Sequence, residues 1–258
     1  MKRIVLPLAV LLALVVAAAA AWLVLDRKFG GAGETATERR VVAGFTKIEV
    51  DGQADVVLAP GPAEALVIEA PRRQLAHVRA EVRDGTLVIA TDDTRRWWTG
   101  LLGRGPRTPR ITVTFRELDT LRANGTVKIR ADRLQADRMV ITVTGAAALK
   151  IADLAVDELV IAGAGAVKAD LAGRATTQKV TISGAGDYRA ADLASEHASV
   201  TVSGAGRVVV NAAKTLKVGL SGAGSVEYIG DPEVTQQVSG AGRVKRRAWD
   251  DTGSLRIA

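Results

Sequence analysis

The chain contains no cysteine. That excludes disulfides, thiolate nucleophiles, cysteine metal sites and the lipid-bearing cysteine of a bacterial lipoprotein. Aromatic residues are only 3% of the 258 residues, against 48% hydrophobic residues overall. Any core must therefore be built from Val, Ile, Leu and Ala, a composition that suits strands. The only two histidines, His77 and His197, lie 120 positions apart with no acidic or histidine partner at ligand spacing, so no metal and no other cofactor is expected. Proline is scarce at 7 residues while glycine reaches 26. The glycines fall within periodic segments rather than in a linker, which assigns them to repeated turns or close backbone approach. Positive charge is not concentrated either: of the formal +7, Lys2, Arg3, Arg27 and Lys28 against Asp26 supply +3, leaving +4 spread along the rest. Nucleic-acid binding is not expected, because tracking phosphates takes clustered Lys and Arg.

One long apolar run is present. After Met1-Lys2-Arg3 the chain is uncharged from Ile4 to Leu25, and Asp26-Arg27-Lys28 follows. As a helix this run would rise ~33 Å, enough to cross a ~30 Å hydrocarbon core. It reads as an uncleaved anchor, with Trp22 near an interface and Lys2 and Arg3 kept inside. The alternative is a cleavable signal peptide, for which Ala17 to Ala21 offer small residues. Either way the rest is exported, facing the periplasm from a bacterial inner membrane, or periplasmic or secreted if cleaved. The expected organisation is an anchor or signal over 1–28, a flexible Gly-rich linker over 29–40, the folded domain over 41–250 and a tail over 251–258.

The domain is built on a repeat. Gly-Ala-Gly stands at Gly163, Gly184, Gly204, Gly222 and Gly240, with a degenerate Gly-Ala-Ala at Gly145, giving intervals of 18, 21, 20, 18 and 18. The second glycines are Gly165, Gly186, Gly206, Gly224 and Gly242, and Gly52 fits the same frame. Apolar residues alternate with small or polar ones before each motif, as in Ile141 and Val143, Val180 and Ile182, Val200 and Val202. Period-2 alternation marks a strand with one buried face. Because both glycines share the parity of the valines, they are expected to face inward at a narrow corner. The fold class is therefore all-β: a parallel β-solenoid, right-handed and β-helix-like, with glycine-centred repeats of about 18 to 22 residues, preceded by one N-terminal hydrophobic helix. An antiparallel meander in which each Gly-Ala-Gly closes a hairpin is the alternative.

Several of these elements together resemble a known family: Phe45-x-x-Ile48-x-Val50, the Gly52-x-Ala54-Asp55-Val56 turn, the Leu118-x-x-Leu121 step, and Tyr228-x-Gly230-Asp231-Pro232 followed by Val238-Ser239-Gly240-Ala241-Gly242. They resemble the GIN domain family, also called the putative auto-transporter adhesin head domain. The resemblance covers roughly residues 41–247. It implies a β-helix-like fold on exported or membrane-attached bacterial proteins and brings no catalytic residues.

Motifs that suggest chemistry are weak. Gly163-Ala164-Gly165 lacks the third glycine and the following helix of a dinucleotide site. Only Asp187 among the repeats supplies the aspartate that a calcium β-roll needs. Asp153, Asp170 and Asp192, each followed by Leu, would form a row in a coil of this type, the one arrangement that hints at a carbohydrate-active enzyme. The segment 91–110 interrupts the repeat with Arg95, Arg96, Trp97, Trp98 and Arg104. Tryptophans beside arginines can stack on sugars or lie at lipid headgroups, so these five are the candidate binding loop, the alternative being a lid over an open flank. The expected function is a non-enzymatic envelope module presenting a rigid rod for binding or adhesion to a glycan, lipid headgroup or protein partner. A self-associating envelope scaffold is the second reading.

Overall fold

The computed structural model describes residues 35–91, 108–249 and 255–257. From Thr120 to Gly222 the backbone keeps strand conformation for 103 residues. At ~3.3 Å per residue a straight strand of that length would run on the order of 340 Å. The chain instead turns corners and lies back on itself. All eleven strands, β1 (Thr35–Arg40), β2 (Lys47–Pro60), β3 (Ala65–Pro71), β4 (Val78–Arg83), β5 (Thr86–Thr91), β6 (Arg110–Phe115), β7 (Thr120–Gly222), β8 (Ser225–Ile229), β9 (Glu233–Ser239), β10 (Arg243–Trp249) and β11 (Leu255–Ile257), join in one large sheet that does not close. The sole helix among the described residues, α1, is the four-residue turn Arg72–Leu75. No helix among them is long and apolar enough to cross a membrane, and the run Ile4–Leu25 lies outside them.

Pairing within the repeat region is parallel. Lys47–Leu58 runs beside Thr120–Ala131, Arg207–Asn211 beside Ser225–Ile229, Thr215–Ser221 beside Glu233–Ser239, and Ser225–Tyr228 beside Arg243–Arg246. Parallel neighbours cannot be joined by tight hairpins, so the antiparallel meander does not describe this region. Antiparallel pairs occur at the two ends instead. At the N-terminal end β1 pairs with β3, β3 with β6, and β4 with β5, while β5 and then β6 run parallel to successive stretches of β2. At the C-terminal end β11 pairs with the last three residues of β10. Thus the last six residues of the expected linker form β1, and part of the expected tail forms β11.

The alternation seen in the sequence governs burial. Leu159, Ile161, Val180, Ile182, Val200, Val202, Val218 and Leu220 are at most 3% exposed, and the buried hydrophobic residues are aliphatic apart from Phe45, Phe115 and Tyr188. Charged residues one pass apart pair across the outside: Arg133 with Asp153 at 3.0 Å, Arg138 with Glu158 at 3.1 Å, and Lys214 with Glu196.

The glycines form a column, each set against the next: Gly52, Gly125, Gly145, Gly165, Gly184, Gly204, Gly222 and Gly240. Two expectations are corrected here. The repeat over 163–165 takes its place in the column with the second glycine, Gly165, and Gly163 is buried against Val167. A shift of two residues leaves strand parity unchanged, so alternation could not distinguish them. The column glycines also do not face inward. Gly204 is exposed, with φ +129°, and a Cβ there would overlap the carbonyl oxygen of Gly184 in the neighbouring pass. The left-handed backbone turns the corner and brings the passes together, so the obstacle to a side chain is backbone rather than core. The second glycines do face inward: Gly186 and Gly206 are half-buried and Gly224 is buried, with the Ile182, Val202 and Leu220 side chains beside them in turn. The residues before the column glycines, Ser183, Ser203, Ser221 and Ser239, are exposed. Among the described residues none of their hydroxyls bonds the adjacent pass.

Candidate functional site

About midway in the chain between successive column glycines, residues of neighbouring passes line a groove of about 520 Å³. Ala136, Ala155, Val156, Ala175, Ala194 and Ala213 supply the small apolar side chains that line it, and Gln135, Asp137, Asp157, Arg174, Thr176, Ser195 and Glu196 the polar ones. Small residues here in successive passes leave a trough where larger ones would fill it. The trough therefore runs across the passes, along the axis of the stack.

Its lip is mixed in charge. Glu196 bonds Lys214, and that hydrogen bond, with the two charges' attraction, holds its carboxyl below the usual range. His197 beside it places Nδ1 2.8 Å from Thr215 Oγ1. Asp137, Asp157 and Arg174 are exposed and make no ion pair or side-chain hydrogen bond among the described residues. They are free to meet a ligand.

Beneath the groove lies a polar network enclosed in the core. Gln178 is 0% exposed; its Nε2 donates to Ser195 Oγ at 2.7 Å and to the Asn211 carbonyl at 3.3 Å, and its Oε1 accepts from the Tyr188 hydroxyl at 3.2 Å. Ser195 Oγ donates in turn to the Asn211 carbonyl, and Asn211 Nδ2 reaches the Ala191 carbonyl at 3.2 Å. Ser195 lines the groove, but its partners are an amide and a carbonyl. Neither can take its proton, so the arrangement ties the passes together rather than activating a nucleophile.

Two of the aspartates followed by leucine are engaged by arginines. Asp153 pairs with Arg133, and Asp170 acts on Arg189, which is bonded to Asp187. Among the described residues no group of three or more His, Asp or Glu could hold a metal ion. Arg95, Arg96, Trp97, Trp98 and Arg104 lie outside the described residues. What the structure places is where their segment leaves and returns: Thr91 Oγ1 accepts from the Gln53 amide at 2.8 Å, and Gln53 Nε2 reaches Thr108 Oγ1 at 3.1 Å. Both ends sit at the foot of the glycine column, where Thr91 underlies Gly52. The groove residues escaped sequence reasoning. The signal for them was present in Asp137 and Asp157, each just after a small apolar residue and one repeat apart, with Glu196 two repeats further on.

Solved structures share this fold. A putative adhesin from Bacteroides fragilis NCTC 9343 superposes with a TM-score of 0.74 at 21% identity, covering 83% of this chain and 97% of that one. A protein from Parabacteroides distasonis ATCC 8503 named as a putative lipid binding protein gives a TM-score of 0.64 at 19% identity, covering 83% and 97%. A putative adhesin from the same organism gives 0.62 at 22% identity, covering 84% and 98%. No curated protein matches the chain. Residues 44–232 match the family described as putative auto-transporter adhesin, head GIN domain, and the chain belongs to that family.

Proposed function

We propose that this chain is a non-enzymatic, exported binding module, a right-handed β-solenoid rod whose groove receives an extended, hydroxyl-rich envelope glycan. The observation that carries this reading is the groove itself: an apolar trough crossing successive passes, with the unpaired carboxylates of Asp137 and Asp157 on its lip. Carboxylates, Thr176 and Gln135 can accept hydrogen bonds from sugar hydroxyls, while the alanine floor meets ring faces. Passes ~4.8 Å apart would repeat the same contacts along a polymer. Support for the solenoid comes from the parallel registers and the glycine column, and for export from the apolar run Ile4–Leu25, as anchor or cleaved signal. The segment bearing Arg95, Arg96, Trp97, Trp98 and Arg104 is proposed as a second contact, suited to anionic lipid headgroups or glycans.

Calorimetric titration of residues 31–258 with purified envelope polysaccharides tests the reading. Replacing Asp137 and Asp157 together by Ala should weaken binding by about tenfold or more, the loss of one or two charge-assisted hydrogen bonds, with an unchanged melting temperature. Undiminished binding would remove the groove from the reading, and release of reducing ends from the glycan would overturn the non-enzymatic assignment.

A further inference from the structure

We propose that a second copy of this chain pairs edge to edge with β9, antiparallel, about a two-fold axis at Gln236. This does not rest on the groove. β9 lies parallel to Thr215–Ser221 along one edge, and among the described residues its other edge has no partner. Its inward row, Val234, Gln236 and Val238, sits against Leu216, Val218 and Leu220. Those three are buried, whereas Val238 is 41% exposed. The strand after it, β10, is finished differently: it carries Arg243, Lys245, Arg246 and Arg247, and β11 pairs with its last three residues.

The opposite end of the sheet shows how an edge is guarded. There the outer strands β1 and β4 carry Glu38, Arg39 and Arg40, and Arg79, Glu81 and Arg83, the charges that discourage strand addition. From Val234 to Ser239, β9 has none. Its sequence is also complementary to itself. Centred on Gln236, an antiparallel pair sets Val234 against Val238, Thr235 against Gln237 and Glu233 against Ser239. Apolar meets apolar on the inward face, and no like charges meet. The same patch on both partners closes after two copies instead of growing into a filament.

The test uses the full chain in detergent, followed by light scattering and oxidative cross-linking. With no other cysteine present, Gln236→Cys reports the axis directly. Opposed Cα atoms in an antiparallel pair lie ~4.5 to 5.5 Å apart, within disulfide reach of ~4.4 to 6.8 Å. The expected results are a dimer for the wild type, a covalent dimer for Gln236→Cys but not for the exposed side position Ser183→Cys, and a monomer for Gln236→Lys, which opposes two ammonium groups. A wild-type monomer, a Gln236→Lys dimer or equal cross-linking at positions 183 and 236 would overturn the proposal. A monomer that recruits a strand from a different protein would likewise overturn it.

Discussion

Asn124 Nδ2 donates to Asp51 Oδ1 at 2.9 Å although 73 residues separate them. The bond marks the seam at which the repeats dock on the N-terminal part. One residue further along each strand, Gly125 lies in register with Gly52, and Asn124 also reaches Glu49 Oε1 at 3.3 Å. Of the described strands between them, β5 and β6 pair with β2 along the edge opposite β7. The glycine column thus starts at Gly52 and continues directly at Gly125, although 72 residues lie between them in the chain.

Gly204→Val should destabilise the protein by about 1 to 3 kcal/mol from the left-handed backbone alone, and further through overlap with the Gly184 carbonyl. The neighbouring exposed change Ser203→Ala should stay within about 0.5 kcal/mol. Urea unfolding of both variants measures the contrast. Equal midpoints would show that the column tolerates a side chain.

Tyr188→Phe should cost about 1 to 3 kcal/mol at neutral pH, because it leaves the buried Gln178 Oε1 without its donor. Burial also pushes the Tyr188 hydroxyl well above its ordinary range near 10. A folded-state pKa raised in this way gives stability that is complete below the unfolded value and is lost as pH rises past it. The wild type should therefore lose stability from about pH 10 upward. That alkaline decline should be shallower in Tyr188→Phe, as followed by chemical denaturation across pH 8 to about 11.

Replacing Trp97 and Trp98 together by Ala should reduce binding to anionic vesicles while leaving the melting temperature nearly constant. Co-sedimentation and a thermal melt of the same samples check both halves. A collapse in stability with no vesicle binding by the wild type would make the segment a lid over the fold.

Deleting residues 250–258 removes β11 and bares the last three residues of β10, Arg247–Trp249. Unpaired edges template association, so the truncated chain should aggregate at concentrations where the full chain does not, measured by light scattering. A truncated chain with unchanged solubility would show that β10 needs no cover.

The alternation of Val180, Ile182, Val200 and Val202 with small polar residues was enough to read strands with one buried face, because side-chain direction in a strand follows from position alone. The spacing of the glycine motifs was enough to read a repeat, and the register of Gly52 with Gly125 agrees with the frame drawn from the sequence. Neighbours decided the rest. Whether Gly163 or Gly165 belongs to the column depends on which one meets Gly145 in the adjacent pass, and parity is identical for both. That the column glycines face outward follows from a positive φ, and alternation presumes a backbone that does not turn. The groove and the network of Gln178, Ser195 and Tyr188 arise where residues about one repeat apart are set side by side. The sequence alone therefore determined the strands, their buried face and the repeat, which are local properties of the chain. Only the tertiary structure decided the register of the column, the direction of its glycines and the place of the groove, because each depends on what an adjacent pass of backbone puts within a few ångströms.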